Sequence, residues 1–593
     1  MSAIKNSKFS HLPRIMSGPL KCSLEGPALL HSSRFNKGSA FPENERANFK
    51  LHGLLPPNIQ TLDEQVARAY QQYSSRENDL AKNTFMASMK AQSEVLYYKL
   101  LQTHLKEMFP IIYTPTEGDA IQNYSRLFRK PEGCFLNIRD QDSIDECLSN
   151  FGSAEDVDYI VVSDGEEILG IGDQGVGAIL ISVAKLVITT LCAGIPPARQ
   201  LPVVLDCGTD NEELLNDDLY LGLRQPRVRG EKYDEFVDNF VKAARRRFPT
   251  AYIHFEDFGL PNARRILDKY QSQIPCFNDD IQGTGCVTLA AMMAALHVSD
   301  VKLNEVRVVV FGSGTAGTGI ADQIADTIAT ETDKSKEEAS KQIWYVQQPS
   351  SKLDINRFGP GVSTSQAFLS SLSRETLTPG QVPFARDDNE WPEGQQVDLL
   401  SVVKHVKPHV LIGTSTKPKA FTEDIIREMA KHVERPIVFP LSNPTRLHEA
   451  QPKDLYEWTD GQALVATGSP FDPVEYGGTK YVIAECNNST CFPGIGLGAV
   501  LSRTRLVSKK MLVAAVEALK ARSPALEDPK GALLPDVEDV REISVDIAAG
   551  VIKCSVEEGL AQVEGIPGDD DKLREWIQAQ MWEAEYRPLE KAE

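Results

Sequence analysis

From Leu62 onward, apolar positions recur at helical spacing: Leu62, Val66 and Ala69-Tyr70 form one stripe, and Met86, Met89, Val95, Leu96, Leu100 and Leu105 another. The pattern predicts a helical N-terminal domain over 1–131, with a second helix capped by Asn83 and ended by Pro110. Residues 1–60, broken by Pro, Gly and Ser, read as an extended leader wrapping another surface. From about 132 the texture changes to short apolar runs, Tyr159–Val162 and Leu201–Leu205, alternating with helical stretches such as Tyr233–Phe248. That rhythm predicts an α/β catalytic domain over 132–278, completed by about 487–545. It continues through the apolar runs Val306–Phe311, Ile343–Val346, Val410–Gly413, Pro436–Pro440 and Ala463–Ala466. A Rossmann-type, doubly wound nucleotide domain over 279–486 follows, then a helical C-terminal segment over 546–593 ending in a solvated tail at Lys591–Glu593.

Two of these runs end in acids. Tyr252-Ile253-His254-Phe255 leads into Glu256-Asp257, and Phe277-Asn278 leads into Asp279-Asp280, each followed by Gly. Carboxylates gathered at neighbouring strand ends repel one another unless a cation neutralises them, and a hard divalent ion, Mg²⁺ or Mn²⁺, suits such oxygens. The run Val306–Phe311 enters Gly312-Ser313-Gly314-Thr315-Ala316-Gly317 and then a helix, the context in which GxGxxG marks a dinucleotide fold. The next strand ends in Gln347 where an acid usually binds the adenosine ribose, leaving Lys352 or Arg357 able to help hold a 2′-phosphate. Pro110 and Pro115 bracket Tyr113 in a stiff loop, which by itself reads as structural.

Composition narrows the classes. At 593 residues the chain exceeds one core, and a net charge of -20 excludes nucleic acid as a partner. Ten cysteines without a CxxC pair indicate neither zinc nor a disulfide scaffold, which fits reduced thiols in a cytosol or mitochondrial matrix. Val176–Ile195 is long enough to span a bilayer, but its central Lys185 would cost about 2.5–3.5 kcal/mol there, so a buried core helix and no membrane are expected. Lys5, Lys8, Arg14 and Lys21 precede any acid and loosely resemble a transit peptide.

Together, PIIYTPTEGDA, ILGIGDQGVG with Lys185 in AKL, HFEDFG, FNDDIQGTG, FGSGTAG, PLSNPT, ATGSPFDP and NNSTCFPGIGLG resemble the malic enzyme family, the large eukaryotic-type chains, from about residue 17 to near the C-terminus. The resemblance implies divalent-metal and NAD(P)-dependent oxidative decarboxylation of (S)-malate to pyruvate and CO₂. It assigns Glu256, Asp257 and Asp280 as metal ligands, Lys185 and Tyr113 as the acid/base pair with Asp279 on Lys185, and Asn443 and Asn488 to substrate or nicotinamide. It also implies a homotetramer, a dimer of dimers.

Desolvation should pull the Lys185 amine down towards neutrality while Asp279 opposes it. Two positions depart from the family pattern. Glu167 stands where many members carry an arginine for a malate carboxylate, and Gln381 where NADP-preferring members carry lysine. A missing cation weakens phosphate binding more surely than the missing acid at Gln347 strengthens it, so NAD is expected ahead of NADP. A malolactic-type enzyme, or an inactive nucleotide-binding subunit, are the alternatives.

Overall fold

The computed structural model describes residues 18–592 other than 313, 333, 348–367, 370–379, 387–397 and 444. Two parallel sheets organise it. The first, which we call the catalytic sheet, has five strands in the spatial order Cys134–Asn137, Gln200–Asp206, Tyr159–Ser163, Tyr252–Phe255 and Cys276–Asn278. Its residues alternate between two cores, as a strand's period of two requires. Tyr159, Val161, Val204, Tyr252 and Phe277 face the large core shared with the helices, while Ile160, Val162, Val203, Leu205, Ile253 and Phe255 face a second.

The second, nucleotide sheet runs Ala484–Glu485, Leu464–Thr467, Ile437–Pro440, Val410–Gly413, Val308–Phe311, Ile343–Gln347 and Phe368–Leu369, all parallel except the last pairing. Val308, Val310, Ile412 and Phe439 join the large core, and Val309, Phe311, Leu411 and Val438 a third. The expected α/β architecture with a doubly wound nucleotide sheet is present.

The apolar segment around Lys185 becomes the helix Ile179–Ala193, and a second apolar helix, Thr284–Val298, lies beside the dinucleotide helix Thr315–Glu331. Taken with the turns that lead into them, as Gly175–Ala193 and Asp279–Val298, both are long and apolar enough to cross a membrane, yet they are mostly buried inside the protein, so their apolar surface is spent on its own core.

Several local expectations need correction. The helix expected from Asn83 starts earlier: Asn78 caps Asp79–Gln92, its side chain accepting from Ala81 N at 2.9 Å. Asn83 sits inside that helix and donates to Ile111 O at 2.9 Å and Glu117 Oε2 at 3.1 Å. The run then breaks at Ser93, extended at ψ 107°, and at His104, giving Glu94–Thr103 and Leu105–Ile112, with Pro110 inside the latter. The leader is not merely extended. Residues from 18 fold into short helices with their own small core around Leu29, Phe41, Phe49 and Leu51, and Leu20–Cys22 pairs in parallel with Leu589–Lys591. The supposed C-terminal tail is therefore strand at Lys591, tied to Glu25 at 3.2 Å. A continuous helix, Val540–Glu557, also crosses the boundary expected at 545/546.

Candidate functional site

The catalytic sheet delivers its acids from two adjacent parallel strands. Tyr252, His254 and Glu256 share one parity, so the strand that packs Tyr252 into the large core also turns His254 and Glu256 towards it. Asp257 then takes a left-handed backbone, φ 52°, which turns the chain; its N–H donates to Asp280 Oδ2 at 2.9 Å and its Oδ2 accepts from Leu169 N at 3.2 Å. Beyond Asn278, residues Asp279–Gly283 form a wide π-type turn, with the Asn278 side chain accepting from Ile281 N. Such turns recur at functional sites because they re-aim side chains.

Oxygens of Glu256, Asp257 and Asp280 lie within 4.8 Å of one another. Burial, with Asp279 adding repulsion and Lys185 opposing, pushes Glu256 up to about 8. Burial and then Glu256 push Asp280 up to about 7, and burial with Asp280 and Glu256 drives Asp257 well above the carboxylate range. Acids raised by burial and by one another are one short of a positive charge. Asp279 Oδ1, buried, has no hydrogen-bond partner among the described residues. The donor set is all oxygen, so these residues fit a hard divalent cation.

Lys185 reaches the cluster from the Ile179–Ala193 helix. Only 2% exposed, its Nζ lies 2.8 Å from Glu256 Oε1 and bonds Asp279 Oδ2, and it stands 5.5 Å from the Tyr113 ring and 5.0 Å from that of Phe492. Burial pulls the amine down, but Asp279, Glu256 and Tyr113 together hold it well above its ordinary value. The expected fall towards neutrality is thus outweighed in this arrangement. Tyr113 ends the helix Leu105–Ile112 and is buried, which raises its phenol. Asn488 donates to Asp279 Oδ2 at 3.1 Å and to Thr284 Oγ1 at 3.1 Å.

At the nucleotide sheet the geometry is set by backbone. Gly312 has φ 114°, and a Cβ there would meet the Thr414 backbone at 2.5 Å; one on Gly317 would meet Gly312 O at 2.2 Å. A Cβ on Gly314 would have nothing within 4 Å. The first and third glycines thus let the turn and helix close up, and the second leaves open space at a helix N-terminus, as a pyrophosphate needs. Ala316 lies in the first turn of that helix. Ser313, Lys352 and Arg357 lie outside the described residues, as does the side chain of Gln347, which ends its strand. Gln381 is buried before the short turn Val382–Phe384, and Gly380 beside it lies against Thr318 of the dinucleotide helix. Asn443 accepts from Ser469 Oγ, and its backbone carbonyl lies 3.8 Å from a Cβ built on Gly170, in the segment that follows the strand Tyr159–Ser163.

The seam between the two ends rests on Gly319, which the motifs pass over: a Cβ there would meet Ile281 O at 2.5 Å. Sequence reasoning also passed over His254 and Tyr159; a polar residue at an inward position of a buried strand was the available signal. Glu167 has its own structural use, accepting from Leu260 N at 3.0 Å at the start of the helix Leu260–Tyr270.

Two family models match the chain: "Malic enzyme, N-terminal domain" over residues 90–271, and "Malic enzyme, NAD binding domain" over 281–353 and 363–556. The mitochondrial NAD-dependent malic enzyme of Saccharomyces cerevisiae is 48% identical, over 98% of this chain and 86% of its own length. The NAD-dependent malic enzyme of Schizosaccharomyces pombe is also 48% identical, over 96% of this chain and 98% of its own. Among solved structures, Entamoeba histolytica malic enzyme aligns with a TM-score of 0.53 at 22% identity, over 90% of this chain and 92% of the other, which bears on fold alone. With two family models spanning most of its length and full-length relatives at this identity, the chain belongs to the malic enzyme family.

Proposed function

We propose that this protein oxidatively decarboxylates (S)-malate to pyruvate and CO₂ with reduction of NAD, using Mg²⁺ or Mn²⁺ held by Glu256, Asp257 and Asp280. The observation that carries this is one cluster of three buried carboxylate side chains whose oxygens lie within 4.8 Å of one another, raised first by burial and then by neighbouring acids, beside a buried lysine amine. When bound, the cation would polarise the substrate's hydroxyl and carbonyl oxygens, and NAD would take the hydride. The chain's own groups move the protons. Lys185 is placed to take the hydroxyl proton: its partner Asp279 favours the ammonium, while burial against Tyr113 and Phe492 and the charge of a bound cation would favour the neutral amine. Tyr113, a raised and therefore protonated phenol, gives a proton to the carbon that CO₂ leaves.

Asn488 aligns Asp279, and Asn443 stands between the sheets, placed for substrate or nicotinamide. Glu167 is committed to the Leu260 helix and offers malate no cation. Buried, uncharged Gln381 supports NAD over NADP, in keeping with the named relatives. We assign residues to 131 to the N-terminal helices, 132–278 with about 487–557 to the catalytic unit, and 279–486 to the nucleotide unit. The cytosol or a mitochondrial matrix and a dimer of dimers remain the expected setting and assembly.

A malate assay with NAD and NADP side by side, with and without Mn²⁺, tests the proposal. We expect Mn²⁺-dependent reduced nucleotide in step with pyruvate, faster with NAD. Lactate without net nucleotide reduction would overturn it in favour of malolactic chemistry.

A further inference from the structure

His254 has no role in the chemistry above, yet it sits wholly buried in mid-strand with both ring nitrogens engaged. Nδ1 lies 3.0 Å from the Tyr159 hydroxyl and Nε2 2.9 Å from Glu256 Oε2. The rings of Phe277 and Phe492 stand 5.5 and 5.4 Å from it, and an Asp279 oxygen lies within 4.8 Å of a ring nitrogen. Its oxygen and nitrogen partners decide where the ring proton sits. As a metal ligand Glu256 is a carboxylate and only accepts, so Nε2 carries the proton and donates to it; Nδ1 then accepts from the Tyr159 O–H. The opposite tautomer would set the Nε2 lone pair against a carboxylate and turn the Tyr159 hydroxyl from donor to acceptor.

We propose that His254, locked in its Nε2–H tautomer by Tyr159, is a positioning residue that holds Glu256 in the orientation required of a metal ligand. The proposal rests on the assignment of Glu256, Asp257 and Asp280 as the cation site. A ring nitrogen of His254 and oxygens of Glu256 and Asp279 also lie close enough together to hold a metal, but the Lys185 ammonium already stands between the two acids, so the imidazole acts from behind the site. A partner of this kind typically changes metal affinity about 10–100-fold.

The test is Mn²⁺ affinity of the full-length protein, measured by calorimetry and by the spin-resonance signal of free Mn²⁺. H254L should weaken binding about 10–100-fold, and H254Q should recover most of the loss, because its amide nitrogen stands near Nε2 and always donates. Y159F should weaken binding by up to about tenfold, the worth of one hydrogen bond, and should have no effect in the H254Q background, where no tautomer needs locking. That background dependence is what a merely structural role would not produce, and it stays readable if H254L fails to fold. Equal losses from Y159F in both backgrounds would overturn the tautomer lock. Wild-type affinity in both H254L and Y159F, or nitrogen hyperfine coupling from an imidazole on bound Mn²⁺, would overturn the positioning role. D280N separates the two claims: if it binds Mn²⁺ like wild type, the cation-site assignment fails; if only D280N loses Mn²⁺, the site stands and the His254 proposal fails.

Discussion

The two sheets present their ligand-facing ends in opposite ways. At the catalytic sheet, four carboxylates and an ammonium are crowded into a buried space, and nearly every polar atom answers another. At the nucleotide sheet, the decisive features are missing side chains: Gly312 and Gly317 close the turn, and Gly314 leaves it open. One end is built from charge and the other from shape. A change of charge should therefore be severe at the first and mild at the second, and an added methyl the reverse.

The largest effect is expected from Lys185→Ala. It removes the proton acceptor and should lower kcat by about 10²–10⁴-fold, while malate and Mn²⁺ still bind. Turnover within tenfold of wild type would show that charge at this end is not what does the chemistry. Gly319→Ala attacks the seam. A Cβ 2.5 Å from Ile281 O must push the dinucleotide helix away from the turn carrying Asp279 and Asp280. Displacements of about 1 Å can cost roughly a hundredfold, so kcat/KM should fall by that order, with both NAD and Mn²⁺ affinity reduced. Loss of NAD affinity alone would mean the two ends are mechanically independent.

Gly314→Ala should be milder and purer. Gly314 has an ordinary φ of -74° and open space ahead of it, so the variant should keep its Tm. Its methyl meets only the incoming dinucleotide, and KM for NAD should rise about tenfold, roughly 1.4 kcal/mol, with Mn²⁺ affinity unchanged.

How much of this was legible along the chain follows the same division. Strand ends, the glycine turn and the acids are local features: a run of β-branched residues, then Gly or Asp, declares itself. The family motifs carried Lys185 to Asp279 although 94 residues separate them. Partners joined only by packing stayed hidden. Tyr159 and His254 meet because their strands are neighbours in the sheet, and Leu20–Cys22 finds Leu589–Lys591 from the far end of the chain. Helix breaks were misjudged where capping competes with periodicity. Ser93 interrupts an unbroken apolar stripe by ending one helix and capping the next, accepting from Leu96 N at 3.4 Å. Likewise Glu167 looked only like a lost cation, because the Leu260 helix it caps lies 93 residues on.

The smallest predicted effect asks whether burial without a cation behaves differently from burial with one. Glu117, whose N–H donates to Tyr113 O at 2.9 Å but whose side chain is outside the acid cluster, is buried with Asn83 as its hydrogen-bond donor. Burial pushes its carboxyl up to about 8 from an unfolded value of 4.5. Glu256, raised as far, has the Lys185 amine at 2.8 Å and a cation site to hold its charge, whereas Glu117 has an amide donor and keeps its proton. A folded pKa above the unfolded one means the native state binds the extra proton, so its contribution to stability is complete below about 4.5 and is lost as pH rises to about 8. Within that window each pH unit removes up to about 1.4 kcal/mol. Glu117→Gln, neutral at every pH, should therefore gain on wild type between pH 5 and about 8 in urea unfolding with saturating Mn²⁺. The cation keeps the catalytic acids from titrating in the same range, so the difference between the two proteins isolates this one carboxyl. A gap that does not widen with pH would show Glu117 ionised in the fold, and burial alone would no longer distinguish it from the acids that hold their charge.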